Sequence, residues 1–129
     1  MSVIISALGS TAPASGYPMT SRQIVNLLKL VGTPKDGALL RFSLGAEYLK
    51  SADFEVAIEH LNAAVEKDPG YSAAWKLLGN ALARNGRDDE ALATYRAGIE
   101  VAEKRGDRQA AKEMAVFARR LEKSISSRP

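Results

Sequence analysis

Apolar residues return along this chain every three or four positions, and Gly, Pro, Asn or Asp interrupts them at short intervals. Ile24, Leu27, Leu28 and Val31 form a first series, which Gly32-Thr33-Pro34 stops. Leu40, Leu44, Ala46 and Leu49 form a second, running to Ser51-Ala52. Phe54, Ala57, Ile58, Leu61, Ala64 and Val65 form a third, broken at Asp68-Pro69-Gly70. Trp75 to Ala83 carries a fourth as far as Asn85-Gly86, and Ala91, Leu92, Tyr95 and Ile99 carry a fifth to about Arg105. Beyond Gly106-Asp107, a sixth places Ala110, Ala111, Met114, Phe117, Ala118, Leu121 and Ile125 on one side. A period near 3.6 belongs to a helix with one buried stripe, and no stretch alternates as a half-buried strand would. The pattern predicts an all-α protein of about six helices with short connections.

The breaks between series carry capping chemistry. Thr20 and Gln23 have the spacing of a capping box, so the first helix is expected over residues 20–32. Asp36 and Asp53 are placed to cap the second and third helices. Residues 1–19 are rich in Ser, Ala, Gly and Pro, show no period, and are expected to form a flexible tail. Residues 127–129 are expected to be a second, shorter tail. Between them, residues 20–126 read as one domain.

Sliding the chain on itself by 34 residues exposes an internal repeat. Leu44-Gly45 then falls on Leu78-Gly79, Ala57 on Ala91, Leu61 on Tyr95, and the turn at Ser51-Ala52 on Asn85-Gly86. Trp75, Leu78, Gly79, Gly86, Ala91 and Tyr95 give residues 72–105 a pattern that resembles the tetratricopeptide repeat (TPR) family, whose period is 34. Residues 38–71 carry the same pattern as Leu44, Gly45, Tyr48, Ala57, Leu61, Ala64 and Pro69. Departures are Arg41, where the family often has Trp, Leu82 for Tyr, Gly98 for Ala, and Glu103 for Pro. With no Pro at 103, the fifth helix is expected to run about one turn longer than the third.

The resemblance implies a short right-handed superhelix of stacked helical hairpins. Gly45, Gly79, Ala57 and Ala91 are then close-packing positions, and Trp75 and Tyr95 fill the space between repeats. Two hairpins fall short of the roughly three units such stacks need. The helix at 20–32 and a capping helix at 107–126 are expected to supply the remainder. In the family the first helix of each hairpin lines a concave groove. On that reading Phe42, Ala46 and Leu49 give the groove an apolar half, and Lys76, Asn80 and Arg84 a cationic, amide-bearing half. Such a surface suits a peptide with an apolar anchor and a carboxylate. Lys76 and Asn80 also resemble the residues that open the carboxylate clamp of chaperone-binding members, but Phe42, Ala46 and Ala111 stand where further clamp residues would be needed.

Charge alters this picture at one end. The formal net charge is +3, yet from Lys104 onward eight Lys and Arg face three acids. Arg105, Arg108, Lys112, Arg119 and Lys123 recur at helical steps as a basic stripe. It offers an alternative surface for nucleic acid or an acidic partner. Catalytic chemistry finds little support. The chain has no Cys, and its single histidine, His60, is expected on an exposed, convex helix face. No Gly-rich phosphate loop occurs, and Asp88-Asp89-Glu90 is explained as first-turn acids favoured by the helix dipole. No catalytic residue, metal or cofactor is therefore expected. No apolar run approaches the roughly 20 residues of a membrane span, and Val3 to Leu8 falls short of a signal-peptide core. The chain reads as a cytoplasmic, non-enzymatic adaptor that binds a protein or peptide, either a monomer or a weak homodimer. A structural homo-oligomer is the remaining alternative.

Overall fold

A computed structural model describes residues 17–129 of the chain. The expected N-terminal tail, up to residue 16, lies outside the described residues. Six helices follow one another: α1 (Tyr17–Leu28), α2 (Ala38–Lys50), α3 (Phe54–Lys67), α4 (Ser72–Arg84), α5 (Asp88–Arg105) and α6 (Arg108–Ser126). No strand occurs among the described residues. Each helix packs on the next, and α2 also touches α4, as α4 touches α6. The chain is thus two layers, with α2, α4 and α6 side by side in one and α3 and α5 in the other.

The helix starts differ from the capping rules applied to the sequence. α1 begins at Tyr17, three residues before Thr20, because Pro18 lacks only an N–H that a first turn leaves unbonded anyway. It ends at Leu28, short of residue 32, in overlapping turns that reach a left-handed Gly32 (φ 81°). Asp36 does not cap α2: Gly37 precedes that helix, and the Asp36 carboxylate is bound to Arg41 instead. Asp53 precedes α3, yet its side chain makes no capping bond. Among α2 to α6, only α6 has a side-chain cap, from Asp107 Oδ1, which accepts from the Ala110 amide at 3.2 Å. Asp107 Oδ2 accepts from the buried Ser72 hydroxyl at 2.6 Å, which ties the start of α6 to the start of α4.

The helix ends are more uniform. At Ala52, Gly86 and Gly106 the backbone turns left-handed, with φ of 60°, 77° and 77°. In each case the next amide reaches back five residues: Asp53 to the Tyr48 carbonyl (2.9 Å), Arg87 to Leu82 (2.9 Å) and Asp107 to Ala102 (2.8 Å). These bonds satisfy carbonyls that a helix end would otherwise leave open. The junction between α3 and α4 is built another way, with Pro69 ending α3 and Asp68 Oδ1 accepting from the Gly70 amide. α5 has no such proline and spans 18 residues against 14 for α3, about one turn more.

The repeat is written into the core as a recurring close approach. A Cβ on Gly45 would lie 2.5 Å from Leu61 Cγ, and one on Gly79 would lie 2.6 Å from Tyr95 Cδ1. Only glycine lets α2 meet α3, and α4 meet α5, this closely. Gly98 has its own reason for replacing alanine: a Cβ there would sit 2.6 Å from Met114 Sδ and 2.8 Å from Trp75 Cβ. The two buried clusters, one over α2 to α4 with Ala91 of α5 and one over α5 and α6, share Trp75 and Leu121 at their border. The Trp75 indole also donates to the Pro69 carbonyl at 2.8 Å, anchoring this side chain at both ends.

Candidate functional site

The layer of α2, α4 and α6 carries the residues expected to line a groove, and their surroundings differ. Phe42 is half-buried against Tyr71, ring centroids 5.0 Å apart, and Ala46 is half-buried one turn on. Leu49 is 7% exposed and belongs to the core, so it offers the surface almost nothing. On α4, Lys76 Nζ donates to Glu113 Oε1 of α6 at 2.5 Å, and Gln109 holds the other carboxylate oxygen at 2.9 Å. The Lys76 ammonium, then the Gln109 amide, keep the Glu113 carboxyl below its usual range. Lys76 is therefore committed within the fold. A carboxylate clamp opening on Lys76 and Asn80 would have to displace Glu113 first.

Asn80 and Arg84 are placed otherwise. Asn80 is half-buried, and its Oδ1 is a buried atom without a hydrogen-bond partner. Arg84 is exposed, and its guanidinium lies over the Phe54 ring at 5.0 Å. A cation on a ring face keeps its charge available to a further ligand. Both residues border a pocket against Phe117, Arg120 and Leu121 of α6. Reading α6 as a cap rather than a wall hid those three residues in the sequence. The direct α4–α6 contact makes it a wall.

The basic stripe divides in two. Arg105 sits in the last turn of α5, and its guanidinium donates to the Gly70 carbonyl. Arg108, Lys112, Arg119 and Lys123 lie exposed on α6, and no ion pair among the described residues holds them. The acids of the same helix turn elsewhere, Glu113 to Lys76 and Glu122 to Arg96 (2.5 Å).

His60 is not on the surface. It is 9% exposed and stacked on Tyr48 of α2, ring centroids 5.5 Å apart and planes 8° off parallel. Arg41 Nη1 lies 3.3 Å from His60 Nδ1, and a guanidinium can only donate, so Nδ1 is the acceptor and the ring is neutral. Arg41 also grips Asp36, with Nε to Oδ1 at 2.8 Å and Nη2 to Oδ2 at 3.1 Å. Burial, and next the Arg41 charge, push the His60 pKa down. The Arg41 bonds, and next the Gly32 amide, hold the Asp36 carboxyl far below the usual carboxylate range. Every partner in this set is internal, and the set fastens the α1–α2 connection to the first hairpin. Arg41, where the family often has Trp, was the signal in the sequence.

Two hairpins of one geometry, offset by 34 residues and joined by glycine contacts, match the tetratricopeptide-repeat family over residues 42–110. The chain is a TPR protein. The TPR repeat-containing protein PA0015 of Pseudomonas aeruginosa is 46% identical to it over 101 residues, covering 78% of this chain and 96% of that protein. The solution structure of protein BPP2914 from Bordetella parapertussis is 40% identical with a TM-score of 0.69, covering 78% of this chain and 88% of that one. A tetratricopeptide repeat domain protein from Salinibacter ruber, also solved in solution, is 32% identical with a TM-score of 0.63, over 69% and 89% of the two chains. TPR proteins in general mediate protein–protein interactions. No helix among the described residues is long and apolar enough to cross a membrane. No group of three or more potential metal-ligating side chains occurs among them either.

Proposed function

We propose that this TPR protein is a non-enzymatic adaptor, acting in the cytoplasm, that holds a peptide or protein segment on the layer of α2, α4 and α6. One observation carries the reading. On this layer Phe42, Ala46, Asn80 and Arg84 keep surface on rigid helices, while two titratable groups, His60 and Asp36, are consumed by internal bonds. A surface ordered in advance leaves the ordering entropy to the partner segment. Leu49 and Lys76 contribute to the scaffold beneath this surface rather than to the contact.

Site-directed photo-cross-linking tests the reading. A cross-linker at Ala46 should trap a discrete partner in extracts of the source cells, and one at Glu59, exposed on α3, should not. Equal trapping from both positions would refute an α2–α4–α6 docking face. The exposed cations Arg108, Lys112, Arg119 and Lys123 support a second reading, in which α6 tracks the phosphates of a nucleic acid. Binding of single-stranded DNA that weakens steeply with salt and is lost on Arg119→Glu with Lys123→Glu would favour that reading over the first.

A further inference from the structure

We propose that the outward ridge of α6 docks on the outward ridge of α3 in a second copy of this chain, so that copies associate head to tail. Arg108, Lys112, Arg119 and Lys123 follow at steps of four, seven and four residues, which keeps them on one face of α6. Ala110, Met114, Phe117 and Leu121, which pack into the fold, occupy the opposite face. α3 has a matching ridge of the other sign. Glu55, Glu59, Asn62 and Glu66 are all exposed and follow at steps of four, three and four. Glu55 is engaged by Asn85 (2.7 Å) and Arg87 (3.6 Å), whereas Glu59 and Glu66 form no ion pair among the described residues.

The two ridges fit by spacing as well as by sign. Lys112 and Arg119 stand seven residues apart, as do Glu59 and Glu66, a rise of about 10 Å on each helix. With the helices antiparallel, which also sets dipole ends of opposite sign side by side, Glu59 meets Arg119 while Glu66 meets Lys112. Val116, 38% exposed midway along the α6 ridge, then faces the uncharged Asn62. A phosphate backbone laid on the same ridge would set charge against that apolar side chain. A hollow of about 200 Å³ among Val116, Arg119, Arg120 and Lys123 receives the Glu59 carboxylate beside three cations. α3 and α6 do not touch within one chain, so the ridges can satisfy each other only between copies. The two surfaces differ, so the contact is heterologous: each added copy leaves one ridge of each sign open, and the series extends unless it closes into a ring.

Sedimentation velocity of the full chain is the test. In about 10 mM salt, where charges act over roughly 30 Å, the average mass should climb with concentration. In about 1 M salt, where they act over roughly 3 Å, the chain should stay monomeric. Glu59→Lys with Glu66→Lys, and separately Lys112→Glu with Arg119→Glu, change exposed residues and should each weaken association roughly tenfold. The chain carrying all four substitutions restores complementarity at unchanged net charge and should associate as the original does. A one-to-one mixture of the two paired variants should do the same. Glu100→Lys, at an exposed position of α5, adds the same charge as Glu66→Lys away from both ridges and should leave association intact. Monomer at every concentration in low salt would overturn the proposal. So would association that ignores either reversal, or that the four-substitution chain fails to recover. Cross-linking from Glu59 would join only copies of this chain, so the mass of what Ala46 traps still decides the adaptor reading separately.

Discussion

Ala52 and Gly86 hold the same left-handed turn in consecutive repeats, with φ of 60° and 77°, and exchanging their residue types measures what that turn demands. An L-residue in this region costs about 1–2 kcal/mol against the right-handed one, whereas glycine bears no such cost. Against that, glycine's looser unfolded chain costs about 0.4–1 kcal/mol. The difference makes Ala52→Gly stabilising by about 0.5–1 kcal/mol, and Gly86→Ala destabilising by a similar amount. Neither figure is blurred by packing: Ala52 is exposed, and a Cβ on Gly86 would meet nothing within 4 Å. Thermal unfolding followed by far-ultraviolet circular dichroism is the assay. For a domain of this size the midpoints should move in opposite directions by about 2–4 °C. If Ala52→Gly lowers the midpoint, or Gly86→Ala leaves it unchanged, the left-handed turn is not what selects these residues, and the argument fails.

Gly79→Ala drives a methyl into the Tyr95 ring and should cost about 1–3 kcal/mol in urea unfolding, whereas Gly37→Ala, in open space, should cost less than about 1. Stability should fall as the pH drops below about 6.5, because the unfolded chain protonates His60 before the folded chain, whose pKa is lowered, can do so. Asp36 should add a second decline below its ordinary value of 3.8. Urea midpoints at pH 7.5, 6 and 5 check the first of these, and His60→Gln should flatten the slope between them; an unchanged slope in that variant would remove His60 as its origin.

The 34-residue repeat was legible because one steric requirement recurs twice. Leu61 and Tyr95 each press on a helix that can carry no Cβ, so Gly45 and Gly79 are forced, and Leu44 and Leu78 follow as their core neighbours. The length of α5 was legible for an equally local reason, the absence of proline at 103. What the sequence concealed depends on partners distant along the chain. Glu113 neutralises Lys76 from 37 residues away, and Arg41 reaches His60 across 19 residues of hairpin. Helical periodicity reports which face of a helix is apolar, but not which charge waits opposite its polar face. The same limit applies at the pocket. Asn80 and Arg84 stood out by spacing, whereas Phe117, Arg120 and Leu121 acquire a role only because α6 lies directly beside α4. Caps were misplaced where a local rule met a stronger partner, as when Arg41 drew Asp36 away from the α2 amides.

The left-handed turn that joins α5 to α6 is the one used inside the two repeats, whereas the α3–α4 junction is not built that way. α5 is thereby hairpinned on both sides, to α4 and to α6, and the C-terminal three helices form a unit closed mainly by contacts close in sequence. Short loops close with little loss of entropy, so this unit is the natural place for the chain to start folding, with α3, α2 and α1 added in turn against it. Unfolding under mild denaturant should retrace that order. Amide protons of α5 should exchange last, and the α3–α4 boundary should be the line along which the molecule first comes apart.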